Sequence, residues 1–312
     1  MKGNRLVLIL LAVVVVVAGV VLWWASLHGP PTPPPRVDAG PPPPLATAPI
    51  PGVTLAKAEG RVEVRRQGKE SWEEVAVGAV LAPDDTIRTP PGATVALEGG
   101  GGTVTLLPGT DVKLAELTSA HTRYLLGSGL LAGDAPAGGG RTLQVDVDGT
   151  DVAVKTQGGT FRLSSNGAGA VAVAAQAGSV RVAAKGREVV LKQGERSLVL
   201  PGAAPTDAAP LATRLLLKVA WPKPRETNQR VVTLTGRTEA GAIVFALGRP
   251  VKVAADGSFS EKLALPEGET QLRVAAVDVS GNDQSEDGPK VLVDTQGASS
   301  RLQTDDLSKT KP

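Results

Sequence analysis

Cysteine is absent from this chain of 312 residues, histidine occurs only twice, and aromatic residues make up 3% of the sequence. Without cysteine the chain cannot form a disulfide, a thiolate nucleophile, a Cys-ligated zinc site or an iron–sulfur cluster. A Ser–His–Asp triad or a multi-histidine metal site would need nearly every imidazole available. The formal net charge of +2 gives no strong field for gripping nucleic acid, so no nucleic-acid partner is expected.

Charge is also missing from a long run near the N-terminus. The 22 residues from Leu6 to Leu27 carry no charged side chain, and as a helix they would span about 33 Å, enough to cross a hydrocarbon core of about 30 Å. Lys2 and Arg5 precede this run and the next charge is Arg36. The positive-inside rule therefore predicts a cytoplasmic stub at residues 1–5 and a single-pass anchor at residues 6–27.

This anchor predicts a bacterial inner-membrane protein with the bulk of its chain in the periplasm or otherwise outside the cytoplasm. A cleaved signal peptide is the alternative, since it shares the basic start and the apolar core. The apolar run is longer than the usual 7 to 15 residues of a signal peptide, and no clear A-x-A cleavage site follows it. The sequence favours the uncleaved anchor.

Proline dominates the next segment, residues 28–52. Half of the residues from Pro30 to Pro51 are proline, which removes amide donors and fixes φ. Such a segment favours extended polyproline II structure at about 3.1 Å per residue. We expect a stiff spacer about 60 Å long between the membrane and the rest of the chain.

Residues 53–200 alternate apolar with polar or small side chains, which is the period of a β-strand. Turn signals separate these short runs at intervals of about 8 to 12 residues, and no convincing helix lies between them. This cadence predicts an all-β sandwich or roll. The turn signals are Pro90-Pro91-Gly92, Pro108-Gly109, Asp148-Gly149, Asn166-Gly167 and Lys185-Gly186.

The order of residues in this region resembles the FecR-type domain of bacterial envelope proteins. The resemblance extends over roughly 140 residues and is carried by Ala58-Glu59-Gly60-Arg61-Val62, Trp72, Val75-Ala76-Val77-Gly78, Leu81, Asp84-Asp85-Thr86-Ile87-Arg88-Thr89, Thr103-Val104-Thr105-Leu106-Leu107-Pro108-Gly109-Thr110, Gly159-Thr160-Phe161, Ala177-Gly178-Ser179-Val180-Arg181-Val182 and Val190-Leu191-Lys192-Gln193-Gly194-Glu195. Gly78, Gly178 and Gly194 are expected where strands turn.

The resemblance implies a transmembrane regulator that passes a signal from an outer-membrane receptor to a cytoplasmic sigma factor. The sequence departs from that pattern at its start, because a stub of five residues cannot bury the roughly 800 Å² that a partner contributes to a standard interface. Direct control of a sigma factor is therefore not expected. The alternative function that remains is signalling through a separate membrane partner.

A second β region follows a linker at residues 201–212, which is rich in Pro, Gly and Ala. Seven short strands are predicted in residues 213–295, a number that suits an immunoglobulin-like sandwich. Its sequence motifs resemble those of bacterial Ig-like modules, for example Thr233-Leu234-Thr235-Gly236 and Asp278-Val279-Ser280-Gly281-Asn282. Trp221, Phe245 and Phe259 are expected in its core. Residues 296–312 are polar and lack periodicity, which predicts a disordered tail.

Two acidic loops are candidate cation sites. Asp146, Asp148 and Asp151 are spaced as calcium ligands could be, but Asp-Gly between alternating valines is a strong hairpin signal. Asp278, Asn282, Asp283 and Asp287 form the second loop, and Asx turns explain it more simply. We predict turns at both places, with no metal and no cofactor.

Three further features are interpreted structurally. Gly99-Gly100-Gly101-Gly102 precedes a strand rather than a helix and lacks a lysine, so a flexible hairpin tip is predicted instead of a phosphate loop. His121 is expected on the surface, and Trp72 in the core or at its rim. Arg65, Arg66 and Lys69 are expected on a solvated face. The stretch Leu125–Leu131 is either buried in a strand or a patch for a partner.

The function that these features predict is binding rather than catalysis. A hydrolase could use only carboxylates, such as Glu73 or Glu74 with Asp84 or Asp85, and the sequence does not bring them together. No catalytic residue is assigned. An anchor, a spacer and two β regions suffice for a non-catalytic binding or scaffold protein, with an envelope protein or a cell-wall polysaccharide as its partner.

Overall fold

The computed structural model describes Trp23 and residues 52–223 and 226–295. The predicted stub, nearly all of the anchor and spacer, and the predicted tail lie outside the described residues. Among those residues, no helix has the length and apolar character that a membrane span requires.

Residues 52–223 and 226–295 contain strands and turns without a helix, so the prediction of an all-β chain is confirmed for this part. The first sixteen strands are β1 Val53–Glu59, β2 Glu63–Arg65, β3 Glu73–Glu74, β4 Val80–Leu81, β5 Thr86–Thr89, β6 Thr94–Gly99, β7 Gly102–Leu106, β8 Thr110–Leu117, β9 His121–Ala135, β10 Thr142–Val147, β11 Ala153–Thr156, β12 Gly159–Ser165, β13 Val171–Ala184, β14 Arg187–Lys192, β15 Glu195–Val199 and β16 Ala209–Pro210. We call them together the first β region.

The first β region is built from two sheets that share β9 and β13. One sheet has the order β4-β1-β6-β7-β9-β12-β13-β15-β16. The other has the order β3-β2-β5-β8-β9-β10-β11-β13-β14, in which β9 and β10 are parallel. Apolar side chains of both sheets meet in one core, whose largest fully buried members include Tyr124 and Phe161.

Each shared strand changes sheet at a glycine. Gly129 in β9 has φ +107° and Gly178 in β13 has φ +65°, a conformation that residues with a Cβ rarely adopt. A Cβ at Gly178 would overlap the carbonyl of Gly158, and one at Gly129 would overlap Thr110. The prediction of a turn at Gly178 is wrong, because Gly178 lies inside one continuous, bent strand, Val171–Ala184.

The remaining strands form the second β region: β17 Leu217–Ala220, β18 Glu226–Thr227, β19 Val231–Thr238, β20 Ile243–Ala246, β21 Arg249–Val251, β22 Ser258–Ala264, β23 Gly268–Val277 and β24 Asp283–Val293. They make a three-stranded sheet, β17-β19-β22, and a five-stranded sheet, β18-β24-β23-β20-β21. The sequence predicts seven strands here. It misses the two-residue β18 and places only the end of β24, as Lys290–Asp294.

The core of the second β region differs from the sequence prediction at one aromatic residue. Phe259 is buried, and Trp221 is partly buried against the same cluster. Phe245 lies outside this cluster, because its neighbours Val244 and Ala246 occupy the core-facing positions of β20 and successive strand residues point to opposite faces.

The two β regions belong to one compact unit and contact each other directly. Ser164 Oγ donates a hydrogen bond to the carbonyl oxygen of Gly241 at 2.5 Å, and Asn166 Nδ2 donates to the carbonyl oxygen of Val253 at 2.9 Å. A small apolar cluster adds Ala172 and Val279 to this contact.

The segment predicted as a linker, residues 201–212, contains the last strand of the first β region. Its residues 209–210 form β16, which pairs with β15, and the amide of Leu211 donates to the carbonyl oxygen of Gly194 at 2.9 Å. The predicted domain limits at 53–200 and 213–295 stay predictions.

Candidate functional site

The outer face of the five-stranded sheet is apolar where β20 and β23 lie side by side. Val244, Ala246, Val274 and Ala276 point into the core of the second β region. The intervening positions, which point away from that core, are Ile243, Phe245, Arg273, Ala275 and Val277. In a sheet with one face in water, these outward positions would carry polar side chains. Both faces of this pair of strands are therefore suited to apolar surroundings.

A cavity of about 600 Å³ lies between this face and the first β region. Its opposite wall is formed by Gly92, Leu107, Pro108 and Leu130 of the first β region. We call this space the junction cavity. Its volume falls within the range of about 300–1,000 Å³ that is typical of small-ligand sites.

Buried threonines hold the wall from the first β region in place. Thr89 Oγ1 donates to the carbonyl oxygen of Leu107 at 2.6 Å. Thr110 Oγ1 donates to the carbonyl oxygen of Leu130 at 3.1 Å and accepts from its amide at 3.1 Å. These side chains satisfy backbone groups where β9 changes sheet, so the wall is fixed before any ligand arrives.

The edge of the junction cavity contains a strained residue. Leu247 has φ +50° and Gly248 has φ +77°, which together form the two-residue turn between β20 and β21. Turns with two positive φ angles prefer Asn-Gly, and a left-handed leucine costs about 1–3 kcal/mol. Leu247 lines the junction cavity. Strain of this kind clusters at binding sites.

Among the described residues that line the junction cavity, Arg273 alone is charged. Its Nε lies 3.5 Å from Oδ1 of Asp287, which is its cross-strand partner on β24. The two side chains are 64% and 68% exposed. An ion pair so exposed contributes little to stability, so Arg273 can exchange its partner at low cost.

A second, polar depression of about 400 Å³ lies on the first β region and contains His121. Lys155, Arg181 and Glu188 line it as well. His121, expected on the surface, is half-buried at the start of β9, and its Nε2 is buried with no hydrogen-bond partner among the described residues. Its Nδ1 lies 3.8 Å from Glu116.

The carboxylates considered for hydrolysis are held by cations instead. Arg66 contacts Glu73 Oε1 at 2.7 Å and Asp85 Oδ2 at 2.8 Å, and Lys113 Nζ lies 2.6 Å from Asp84 Oδ1. Glu74 pairs with Arg61 at 3.2 Å. Of the three residues expected on a solvated face, Arg65 and Lys69 are exposed, whereas Arg66 is half-buried by these contacts.

Asp85 has the environment of a structural carboxylate. Desolvation by burial raises its pKa, but hydrogen bonds from the amides of Ala82 and Gln67 and from Arg66 outweigh burial, so the pKa lies below its ordinary value. A general acid at neutral pH needs a raised pKa. Asp85 does not fit that role.

Trp72 is half-buried at the rim of the first β region, between two guanidinium groups. The Cζ atoms of Arg88 and Arg65 lie 4.1 and 5.1 Å from the ring centroid. A position in the core or at its rim was predicted for Trp72; its contacts with the exposed Arg65 and with Arg88 were not predicted. Cation–π contacts of this kind stabilise the packing of the indole.

Asp111 lies beside the same arginines. Arg88 faces it across β5 and β8. Burial raises the pKa of Asp111, while Arg88 and Arg65 act in the opposite direction without cancelling the effect of burial.

The acidic loop at residues 146–151 is a hairpin, as predicted, although its connection is longer than two residues. β10 and β11 pair antiparallel, and the amide of Val147 donates to the carbonyl oxygen of Val152 at 3.1 Å. Asp148 accepts from the amide of Gly149, and Asp151 from the amide of Lys185. In the described part of the chain, no group of three or more His, Asp or Glu side chains is arranged to hold a metal ion.

The second acidic loop is a turn closed by the Asp278 side chain, but its hydrogen bonds reach four residues on and not the two residues of the predicted Asx turn. Asp278 accepts from the amide of Asn282 at 2.9 Å and from its side-chain Nδ2 at 2.9 Å. Asp283 and Asp287 lie on β24.

The glycine run is a hairpin tip, as predicted. Gly99 pairs with Gly102, and Gly100 and Gly101 form a tight turn. A Cβ at Gly100 would overlap the side chain of Thr122, so this position of the tip requires glycine. The stretch Leu125–Leu131 lies in β9, and its members Leu126, Leu130 and Leu131 are buried, as expected.

The junction cavity was not found by sequence reasoning, although one signal for it exists. Residues 242–247 read Ala-Ile-Val-Phe-Ala-Leu, an apolar run without alternation. Such a run indicates a strand that is covered on both faces. By alternation and length, residues 242–247 are predicted only as an ordinary sandwich strand.

Residues 217–294 match the family model described as glucodextranase, domain B. This segment covers a quarter of the chain and corresponds to the second β region. None of the curated proteins compared matches the chain.

Solved structures resemble the chain only distantly. A candidate anti-sigma factor from Parabacteroides distasonis ATCC 8503 aligns at 20% identity with a TM-score of 0.35, covering 39% of this chain and 59% of its own. A polysaccharide lyase aligns at 10% identity with a TM-score of 0.20, covering 78% of this chain and 40% of its own. This chain thus spans less than two thirds of either protein.

Proposed function

We propose that this protein is a non-catalytic binding module of the bacterial cell envelope and that its ligand occupies the junction cavity. The observation that carries the proposal is an apolar sheet face, formed by β20 and β23, that remains beside a preformed space of about 600 Å³. Apolar surface next to such a space is what a binding site provides.

The charged groups support binding over hydrolysis. The four carboxylates that were considered as a catalytic pair form ion pairs with Arg61, Arg66 and Lys113. Charges paired in this way stabilise a surface, and these four carboxylates are not poised as acids.

We further propose that residues 6–27 anchor the chain in the inner membrane and that residues 28–52 space the β regions from it. The uncharged run of 22 residues and the proline content support this arrangement. In this proposal the first β region is a FecR-type domain and the second an Ig-like sandwich. The match of residues 217–294 to a domain model supports the limits of the latter.

Photo-crosslinking in intact cells tests the binding proposal. A photoreactive amino acid at Phe245, which lines the junction cavity, should give a specific crosslinked product. The control position is Val190, which is exposed on β14. Absence of a product specific to Phe245 would contradict the proposal, as would hydrolase activity that disappears in Glu73→Gln.

Fractionation tests the anchor. The full-length chain should remain in the membrane pellet after alkaline washing, and protease added to spheroplasts should degrade its β regions. Replacement of residues 6–27 by an unrelated span of equal length should leave a tether functional. Loss of function after that exchange would favour signalling through a membrane partner.

A further inference from the structure

The polarity of the residues that line the junction cavity differs from one end to the other. Ile243, Phe245, Ala275 and Val277 offer only carbon surface, and the opposite wall of Leu107, Pro108 and Leu130 is apolar as well. Arg273 precedes Ala275 by two residues on β23, so the two side chains share one face of the sheet. The junction cavity thus has an apolar body with a cation at one edge.

The cation at this edge is available to a ligand. Among the described residues, Arg273 forms its ion pair with an exposed carboxylate, Asp287, at a separation of 3.5 Å, which exceeds the usual length of about 2.7–2.9 Å for a strong charged hydrogen bond. A guanidinium presents a planar fork that binds a carboxylate through two parallel hydrogen bonds. A ligand carboxylate can therefore compete with Asp287 for Arg273.

Charge complementarity combined with the apolar walls selects the class of ligand. A sugar needs several convergent polar groups, which these walls do not offer, and a purely apolar ligand would leave the cation unused. An alkyl chain fills apolar space with about 0.8 kcal/mol per buried methylene group, and a carboxylate at its end would meet Arg273.

We propose that the junction cavity binds a single-chain amphiphile with a carboxylate head, of the fatty-acid type. The chain lies against Ile243, Phe245 and Val277, and the head group binds Arg273. This inference rests on the proposed function, because it names the ligand class of the binding module.

The test uses the full-length chain in nanodiscs of neutral phosphatidylcholine, with laurate as the probe and empty nanodiscs as the blank. Isothermal titration should show saturable binding of one laurate per chain. Decanoate, which is two methylene groups shorter, should bind roughly tenfold more weakly. Dodecanol has the same chain without the charge and should bind more weakly than laurate.

Three variants identify the site. Arg273→Gln should weaken laurate binding about tenfold and leave dodecanol binding unchanged. Asp287→Asn removes the competing carboxylate and should strengthen laurate binding. Arg249→Gln is the matched control, because Arg249 is exposed on the neighbouring strand β21 and does not line the junction cavity. It should leave binding as in the wild type.

A fourth variant blocks the cavity. Ala275→Trp should abolish binding of both laurate and dodecanol, and a thermal melt will show whether it folds. If Ala275→Trp is unfolded, the surface variants Arg273→Gln and Asp287→Asn still decide the proposal, because neither alters a core side chain.

Several results would overturn the proposal. They are no laurate binding by the wild type, equal effects of Arg273→Gln on laurate and dodecanol, and full binding by a folded Ala275→Trp. Binding to phosphatidylglycerol vesicles without binding of free laurate would assign the site to a two-chain lipid instead. If the molecular mass of the wild type rises with concentration and that of a folded Ala275→Trp does not, the junction cavity binds a second copy of the chain.

The two proposals can fail separately. If laurate does not bind but Phe245 still yields a specific crosslink in cells, the binding module stands and only its ligand class is wrong. If laurate binds in vitro and no crosslink forms in cells, the site exists but does not serve the proposed function.

Discussion

A single carboxylate fixes the turn that follows β4. Asp85 is 2% exposed and accepts hydrogen bonds from two amides, those of Gln67 and Ala82, and from the guanidinium of Arg66. Its neighbour Asp84 is exposed, adopts φ +71° and contacts Lys113. Two adjacent aspartates thus have different tasks, which their sequence does not distinguish.

Replacement of Asp85 by Asn should therefore lower the free energy of unfolding at pH 7 by about 1–3 kcal/mol, because donors that Asp85 satisfies lose a charged acceptor. The folded-state pKa lies below the unfolded value of about 3.9. The contribution of the ionised group is therefore complete above that value and is lost as the pH falls through the folded pKa. Urea unfolding at pH 7, 5 and 3 will measure this difference.

Asp84→Asn is the control for this experiment. It weakens the solvent-accessible ion pair with Lys113 and an exposed hydrogen bond from Gln67 Nε2, and should cost less than about 1 kcal/mol. A cost for Asp84→Asn equal to that of Asp85→Asn, or a difference between Asp85→Asn and the wild type that does not shrink between pH 5 and pH 3, would contradict the assignment.

At the scale of elements, the long strands β9 and β13 determine how the first β region is built. Each supplies one half to each sheet, and the change of sheet falls at Gly129 and Gly178. A bend of this kind needs a backbone that only glycine adopts readily.

Gly178→Ala should consequently destabilise the protein more than an equivalent change at an open turn. Both Gly178 and Gly186 have positive φ, 65° and 73°, which costs alanine about 1–2 kcal/mol at either position. Only at Gly178 would the new methyl group meet backbone atoms, those of Gly158 and Gly159, which adds about 1–3 kcal/mol. Chemical denaturation of the two variants measures the difference, and equal losses would argue against the bent strand.

Sequence reasoning predicted the strands well and their connection less well. Alternation located most strands of the first β region, because each has one face in a core. It could not show that β13 is continuous through Gly178, since a glycine between two alternating runs marks a turn and a bend alike. Alternation also could not predict the surroundings of Phe245, because it shows which residues share a face of a strand but not what covers that face.

At the scale of the whole molecule, the contact between the two β regions creates the candidate site. The contact combines hydrogen bonds from Ser164 and Asn166 with an ion pair between Arg196 and Glu239 at 3.3 Å. These pairings join residues far apart in sequence. Alternation along a strand does not show which distant segments meet, so the apolar run at residues 242–247 could not be assigned to a cavity.

Gly241→Ala should weaken this contact selectively. A Cβ at Gly241 would lie 2.7 Å from the Cβ of Ala172 in the first β region, whereas Gly268 has open space around it. Both have positive φ. Calorimetry of the full chain should show one transition for the wild type and for Gly268→Ala, but separated transitions for Gly241→Ala. One unchanged transition in Gly241→Ala would show that the contact does not couple the two β regions.

The sharing of β13 by both sheets also determines when the first β region can fold. Residues 171–184 lie late in this region, yet each sheet needs them as an internal member. Neither sheet can be completed while the chain is still emerging during synthesis or transport. Its pairings with β11, β12, β14 and β15 can therefore form only late in synthesis. Premature release at residue 170 would leave two incomplete sheets with open edges, which is the form of a β-protein most prone to aggregate.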